Sequence, residues 1–139
     1  MTTDPIWLPC AALVLVTALV WVKLYADRLS EMRSKRINPQ SLSTARAAAG
    51  KLENTQAADN FRNLFEVPVL FYVLCIAIAV NGSSTPGFVA AAWAYVSLRA
   101  LHSLIHVTYN RVMHRFLDYA ASTLLLFGMW TAFVLGIMQ

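Results

Sequence analysis

The segment "GFVAAAWAYVSLRALHSLIHVTY", residues 87–109, decides the fold because it is long and apolar enough to cross a bilayer as one helix. A bilayer core of about 30 Å requires about 20 apolar residues per helical span. Three further windows come close to this requirement, at residues 6–26, 64–80 and 116–138. None of the four alternates apolar and polar residues as barrel strands do. The sequence therefore predicts an all-α membrane protein, a bundle of four transmembrane helices.

The composition supports a single membrane domain over residues 1–139. Hydrophobic residues make up 58% of the chain and charged residues only 13%, which is too apolar for a water-soluble globule of this size. The one long connection, residues 27–57, contains the turn dipeptide Asn38-Pro39. The polar, alanine-rich stretch that begins at Ser41 is compatible with a short helix outside the bilayer.

Basic residues predict the orientation. The second connection, "NGSSTPG", contains no lysine or arginine, whereas Arg111 and Arg115 surround the third. The positive-inside rule therefore predicts that connections one and three are cytoplasmic and that both termini are outside, as expected in a bacterial inner membrane. Anionic lipids account for the net charge of +4, so no nucleic-acid partner is predicted. Seven of the eleven basic residues lie in the first connection or at the end of the span before it: Lys23, Arg28, Arg33, Lys35, Arg36, Arg46 and Lys51.

Polar residues form one face of the third helix. At 100° per residue, Tyr95, Arg99, His102, His106 and Tyr109 fall within about a quarter turn of one another. Counted back from Arg111 at a rise of about 1.5 Å per residue, Arg99 lies about 18 Å inside the span. An arginine near mid-membrane costs about 2.5 to 3.5 kcal/mol on insertion scales and faces the bundle interior or a wet cavity with a partner. The sequence thus predicts a polar interior.

Glu66 is the predicted counter-ion of Arg99. It is the acid placed well inside an apolar span, and it lies one turn after Arg62, with which it can also pair. Asn63 stands on the adjoining face. Pro68 removes a backbone hydrogen bond two residues later, which predicts a kinked or loosened helix beside the acid. Such a site suits an ammonium or amide group of a ligand, and it suits water equally well.

Structural interpretations stay open for the same residues. Arg62 can be an interfacial side chain that reaches towards the headgroups, and Arg99 with Glu66 can be a purely structural pair between helices. His102 and His106 have the H-x-x-x-H spacing of a metal-binding helix face. The segment "HSLIH" lacks the glutamate of H-E-x-x-H, however, and no metal site is predicted.

Four motifs occur in an order that resembles the MAPEG family, the membrane-associated proteins in eicosanoid and glutathione metabolism. They are "KLY" at 23, "NP" at 38, "FRNLFEVP" at 61 and "RALHSLIHVTYNRVMHR" at 99. Microsomal glutathione transferases and microsomal prostaglandin E synthase belong to this family. The resemblance covers nearly the whole chain and looks closer to the bacterial members. It implies a homotrimer of four-helix subunits, with glutathione bound between subunits near the cytoplasmic surface and a lipophilic substrate arriving through the bilayer.

The resemblance also implies roles for individual residues. The N-x-x-E pattern of the second helix falls on Asn63 and Glu66, with Arg62 beside them, and these residues are expected to hold charged and amide groups of glutathione. The R-x-x-H pattern of the third helix falls on Arg99 and His102. In relatives, a tyrosine stands one turn later, where this chain has His106.

Further basic residues complete the implied site. Those before the fourth helix fall on Arg111 and Arg115, and Arg115 matches the arginine proposed to stabilise the thiolate. Arg33 loosely matches a glutathione-binding arginine at the end of the first helix. Two positions depart from the pattern: Asp59 replaces an arginine of several relatives, and Phe116 replaces a serine or similar donor.

The resemblance implies a membrane-bound glutathione transferase or peroxidase acting on lipophilic electrophiles, with membrane lipids as neighbours. Glutathione would be the co-substrate, and an arginine would favour its thiolate. Two other functions remain open. One is a non-catalytic scaffold or accessory subunit of the same fold, as Asp59 and Phe116 suggest. The other is an intramembrane metal or haem protein that uses His102 and His106.

Overall fold

The computed structural model describes residues 4–138, apart from the side chain of Ala45, and within that range all regular elements are helical. Helix α1 spans Trp7–Ser34, and a 3₁₀ turn follows at Pro39–Leu42. Four helices are long and apolar enough to cross a membrane. After α1 the chain forms α2 at Ala45–Ala49, α3 at Gln56–Leu64, α4 at Pro68–Val80, α5 at Pro86–Val107 and α6 at Val112–Ile137. The four membrane-spanning stretches are α1, α3 together with α4, α5 and α6.

The observed helices differ from the predicted spans mainly at their ends. Helix α1 continues well beyond residue 26, and α6 begins at Val112 rather than 116. The short helix expected in the first connection is α2, whose first turn is capped by the Thr44 side chain accepting a hydrogen bond from the Ala47 N–H. Similarly, Thr85 caps α5, with Pro86 at its first position. These caps satisfy donors that a helix start leaves free.

Pro68 divides the second span into two helices. Helix α3 ends at Leu64 and α4 begins at Pro68, and together they form one apolar stretch, Gln56–Val80. Hydrogen bonds of the tighter i to i+3 type bridge the break, including one from the Val69 N–H to the Glu66 carbonyl (3.2 Å). The predicted kink is therefore confirmed as a full break, because proline lacks the donor that a continuous helix needs.

The core of the bundle is apolar and lies between α1, α4, α5 and α6. The Phe71 and Tyr95 rings stack with centroids 4.5 Å apart and join α4 to α5. Trp130 of α6 donates its indole N–H to the Leu70 carbonyl of α4 (3.2 Å). Many large apolar side chains are exposed on the outside of the bundle, as expected for surfaces that contact lipid tails.

Glu31 lies in the part of α1 that extends beyond the predicted span, and it joins the first connection to this helix. Its carboxylate accepts hydrogen bonds from the backbone N–H groups of Glu53 (2.7 Å) and Asn54 (3.2 Å), and it pairs with Lys35 (2.7 Å). The hydrogen bond from the Glu53 N–H, with the help of Lys35, lowers the pKa of Glu31 to about 2. This contact fixes where α3 begins, because α3 starts only a few residues later. The end of the bundle that carries α2, α3 and the Thr108–Arg111 turn is called the basic end below.

Candidate functional site

A row of buried polar side chains runs along α5. Tyr95, Arg99, His102 and His106 are all at most 2% exposed. This confirms the predicted polar face for these four residues. The prediction is wrong for Tyr109, because α5 ends at Val107 and the Tyr109 side chain is 57% exposed.

Arg99 is buried and forms neither an ion pair nor a hydrogen bond with a described residue. Its three guanidinium nitrogens form no hydrogen bond, and its central carbon lies 5.3 Å from the centre of the Tyr119 ring. The predicted pairing with Glu66 is wrong for the isolated chain: Glu66 lies in the break after α3, is exposed, and forms no ion pair with any described residue. A buried charge without a partner weakens a fold and attracts an anion.

Asp118 is the acid that reaches the buried cluster. It lies in the second turn of α6 and is 8% exposed, and its Oδ2 is 3.8 Å from Nδ1 of His102. Asp118 was not among the predicted site residues, because the predicted fourth span begins at residue 116 and places Asp118 at the edge of the bilayer. Since α6 begins at Val112, the carboxylate lies well inside the helix.

A cavity of about 210 Å³ lies beside this cluster at the basic end. It brings together three of the predicted site residues, one from each of three helices: Asn63 from α3, His102 from α5 and Arg115 from α6. Tyr119 joins them, although sequence analysis did not select it. The full lining consists of Asn63, His102, Val112, Arg115, Phe116 and Tyr119.

Asn110 positions Arg115. Its side-chain oxygen accepts a hydrogen bond from Nη1 of Arg115, and its backbone has a φ of 50°, in the left-handed region. Asparagine tolerates this conformation better than most residues. The Asn110 N–H also donates to the Ile105 carbonyl (2.9 Å), which closes the end of α5. Nε of Arg115 is buried and has no partner, so this guanidinium keeps a donor for a ligand.

A second polar contact, also missed from the sequence, joins α3 to α5. The Ser103 hydroxyl donates to the side-chain oxygen of Asn60 at 3.4 Å, and both residues are buried. Asn60 lies one turn before Asn63 on α3. The contact therefore holds the helix that presents Asn63 to the cavity.

The other predicted site residues do not line this cavity. Arg33, Arg62, Glu66 and Arg111 are all exposed. Nη1 of Arg62 lies 3.9 Å from Oδ1 of Asp59, so its nearest acid is not Glu66. The structure thus groups Asn63, His102 and Arg115 with the buried Arg99 and His106, and it leaves the remaining four on the surface of the single chain.

The cluster combines positive charge with unsatisfied hydrogen-bond donors. Within residues 4–138, no group of three or more His, Cys, Asp or Glu side chains has an arrangement suited to a metal ion. The His102 and His106 ring centroids are 5.8 Å apart. Two guanidinium groups with unsatisfied donors, next to a small cavity, instead favour a ligand that carries negative charge or develops it during reaction.

Comparisons with known proteins identify one family. No curated protein and no solved structure gives a significant match to the chain. The family model described as the MAPEG family matches residues 6–135, which is nearly the whole chain. The length of this match agrees with the four membrane helices and the order of the motifs. The chain therefore belongs to the MAPEG family.

Proposed function

We propose that the protein is a membrane glutathione transferase or peroxidase that acts on lipophilic electrophiles. The observation that carries the proposal is the cavity in which Arg115 keeps a free, buried donor beside His102 and Asn63. A site of this kind takes the thiol-bearing part of glutathione and favours its thiolate. Family membership supports the same general activity.

Arg115 is the residue proposed to activate the thiol. A free thiol has a pKa of about 8.5, and a nearby guanidinium favours the charged sulfur. Asn110 restricts where the guanidinium can point, so the positive charge stands at a defined place. The thiolate then attacks the electrophile, a sulfur–carbon bond forms, and the leaving group departs with its electron pair.

The exposed members of the predicted site fit an assembly. Arg62 and Glu66 lie on the surface of the single chain, outside the cavity, where a neighbouring subunit could place them against the same ligand. We propose a homotrimer with the basic end in the cytoplasm. In that arrangement Arg33 and Arg111 would contact the carboxylates of glutathione from the aqueous side. The lipophilic substrate would enter from the bilayer.

A non-catalytic scaffold is the second candidate, and Phe116 favours it. Its side chain lines the cavity at the position where some relatives have a hydrogen-bond donor, and it is 62% exposed. An apolar ring at this position reduces the number of donors available to a thiolate. In a scaffold, glutathione would bind weakly or not at all.

The test is glutathione binding and turnover in detergent-purified protein. We expect calorimetric binding of glutathione and conjugation of a chloronitrobenzene electrophile, or reduction of an organic hydroperoxide. Arg115→Ala should reduce turnover by about 10²-fold or more, because a donor aimed at developing charge contributes this much. Arg46→Ala, an exposed arginine of α2, is the matched control and should leave turnover unchanged. Absence of binding in the parent protein would favour the scaffold, and full activity of Arg115→Ala would discard the role of Arg115.

A further inference from the structure

The buried Asp118 does not fit a site that only binds anions. A carboxylate beside the cavity repels a thiolate and offsets the positive charge of the two guanidinium groups. Among the described residues it is the one buried acid, and its Oδ2 has no hydrogen-bond partner. Burial of a carboxylate is unfavourable unless another group pairs with its charge. The nearest candidate is His102.

Asp118 faces one specific atom of His102. Oδ2 lies 3.8 Å from Nδ1, slightly beyond hydrogen-bond distance, and the two side chains are 7% and 3% exposed. A hydrogen on Nδ1 is favoured by a carboxylate at this place, and the neutral ring then carries its lone pair on Nε2. Nε2 of His102 has no partner among the described residues, and His102 lines the same cavity as Arg115.

We propose that His102, oriented by Asp118, accepts the proton that the glutathione thiol loses at Arg115. This inference rests on the proposed function. In the step, the S–H bond breaks, the hydrogen bonds to Nε2 and the electron pair stays on sulfur. The thiolate forms beside Arg115 and the imidazolium forms beside Asp118, so each new charge meets its opposite. After sulfur attacks, the imidazolium returns its proton to the leaving group or to water.

The surrounding charges make His102 suitable as a temporary proton acceptor rather than a permanent cation. Arg99 on the same helix and Arg115 on α6 both disfavour an imidazolium, whereas Asp118, with Oδ2 at 3.8 Å from Nδ1, favours it. Asn63, which lines the same cavity from α3, carries no charge. The other titratable groups beside the ring are His106 on α5 and Tyr119 on α6, whose ring centroids lie 5.8 and 5.9 Å from that of His102. The charged side chains of the α3 region, Asp59, Arg62 and Glu66, are exposed, and none of them lines the cavity or pairs with His102. On α1, Lys23 pairs with Asp27.

The decisive experiment counts protons when glutathione binds. Calorimetric titrations of the detergent-purified parent protein, in buffers of different ionisation enthalpy near pH 7, give the number of protons released to the solvent. Ultraviolet absorbance of the bound sulfur gives the amount of thiolate. If His102 takes the proton, thiolate forms with almost no proton release. A mechanism that uses Arg115 alone releases about one proton for each thiolate, because an arginine cannot accept one.

Variants separate the proton acceptor from its positioning residue. Asp118→Asn keeps the shape of the side chain and should lower bound thiolate at pH 7 by about tenfold, with the glutathione Kd changed by no more than about threefold. His102→Gln should abolish the thiolate that forms without proton release. Asp27→Asn, which removes an acid of α1 remote from the cavity, is the control and should behave like the parent.

The outcomes distinguish this inference from the proposed function. Thiolate that appears together with about one released proton overturns the role of His102 and leaves the transferase proposal standing. Glutathione that binds only as the thiol also overturns it. If the parent protein does not bind glutathione at all, the proposed function fails and the inference fails with it.

Discussion

Arg99→Met is expected to stabilise the protein while it weakens glutathione binding. The Arg99 side chain is 1% exposed, and its three nitrogens have no hydrogen-bond partner. Insertion scales give about 2.5 to 3.5 kcal/mol as the cost of a central arginine, whereas apolar side chains insert favourably. Methionine has a similar length and flexibility and fills most of the space.

The expected gain is smaller than the full insertion cost. The guanidinium lies 5.3 Å from the centre of the Tyr119 ring, and a desolvated contact of this kind contributes about 0.5 to 2 kcal/mol, which the variant loses. The net stabilisation is therefore about 0.5 to 3 kcal/mol, close to the range found when buried charges are replaced by apolar side chains. For a chain of this length that corresponds to a rise in Tm of roughly 2 to 9 °C.

The assay is thermal unfolding in detergent, with glutathione titrated into the same samples. Arg46→Met is the control, because Arg46 is exposed on α2 and its replacement should change stability by no more than about 0.5 kcal/mol. A clear fall in the Tm of Arg99→Met would refute the reasoning. It would mean that Arg99 has a strong partner in the assembled protein, so that its charge is structural.

Two further predictions concern residues that position the site. Asn110→Gly keeps the left-handed backbone but removes the side-chain oxygen that accepts a hydrogen bond from Arg115. Turnover should therefore fall by about 10- to 100-fold while the glutathione Kd changes little. An unchanged kcat would show that Arg115 needs no such support. The folded-state pKa of Glu31, about 2, is below its ordinary value of 4.5, so its stabilising effect is complete above about pH 4.5 and is lost as the pH falls towards 2. Limited proteolysis of the segment around Glu53 should therefore become faster in the parent protein as the pH falls through this interval. The Glu31→Gln variant should be cleaved quickly at every pH. A similar pH dependence in both proteins would contradict the role of Glu31.

The membrane bundle could be predicted because its causes are local. Length and apolar composition fix the four spans, and the polar face of α5 follows from helix geometry alone. The break at Pro68 also follows from the chemistry of one residue. Each of these features depends on residues close together in the chain, so a single sequence contains the necessary information.

The contacts between helices could not be predicted in the same way. The pairing of Arg99 with Glu66 failed because the break after Leu64 carries Glu66 to the outside of the chain, whereas a continuous helix would have kept it in phase with Asn63. Asp118 was missed because the start of α6 was placed four residues too late. An error of one turn in a helix start is small along the chain, but it decides whether an acid counts as an interfacial or a buried residue.

The energetics of the cluster favour a ligand site over a purely structural bundle. A scaffold gains nothing from an unpaired guanidinium, two buried histidines with unsatisfied nitrogens and a buried carboxylate on facing helices, since apolar side chains would pack the same space at lower free energy. Of these residues, His102 lines a cavity of about 210 Å³ that Arg115 also lines. A bound ligand with both an acidic proton and a developing negative charge would offer the proton to His102 and the charge to Arg115. His102, whose buried ring nitrogens have no hydrogen-bond partner, and Arg115 are thus the groups that such a ligand would use.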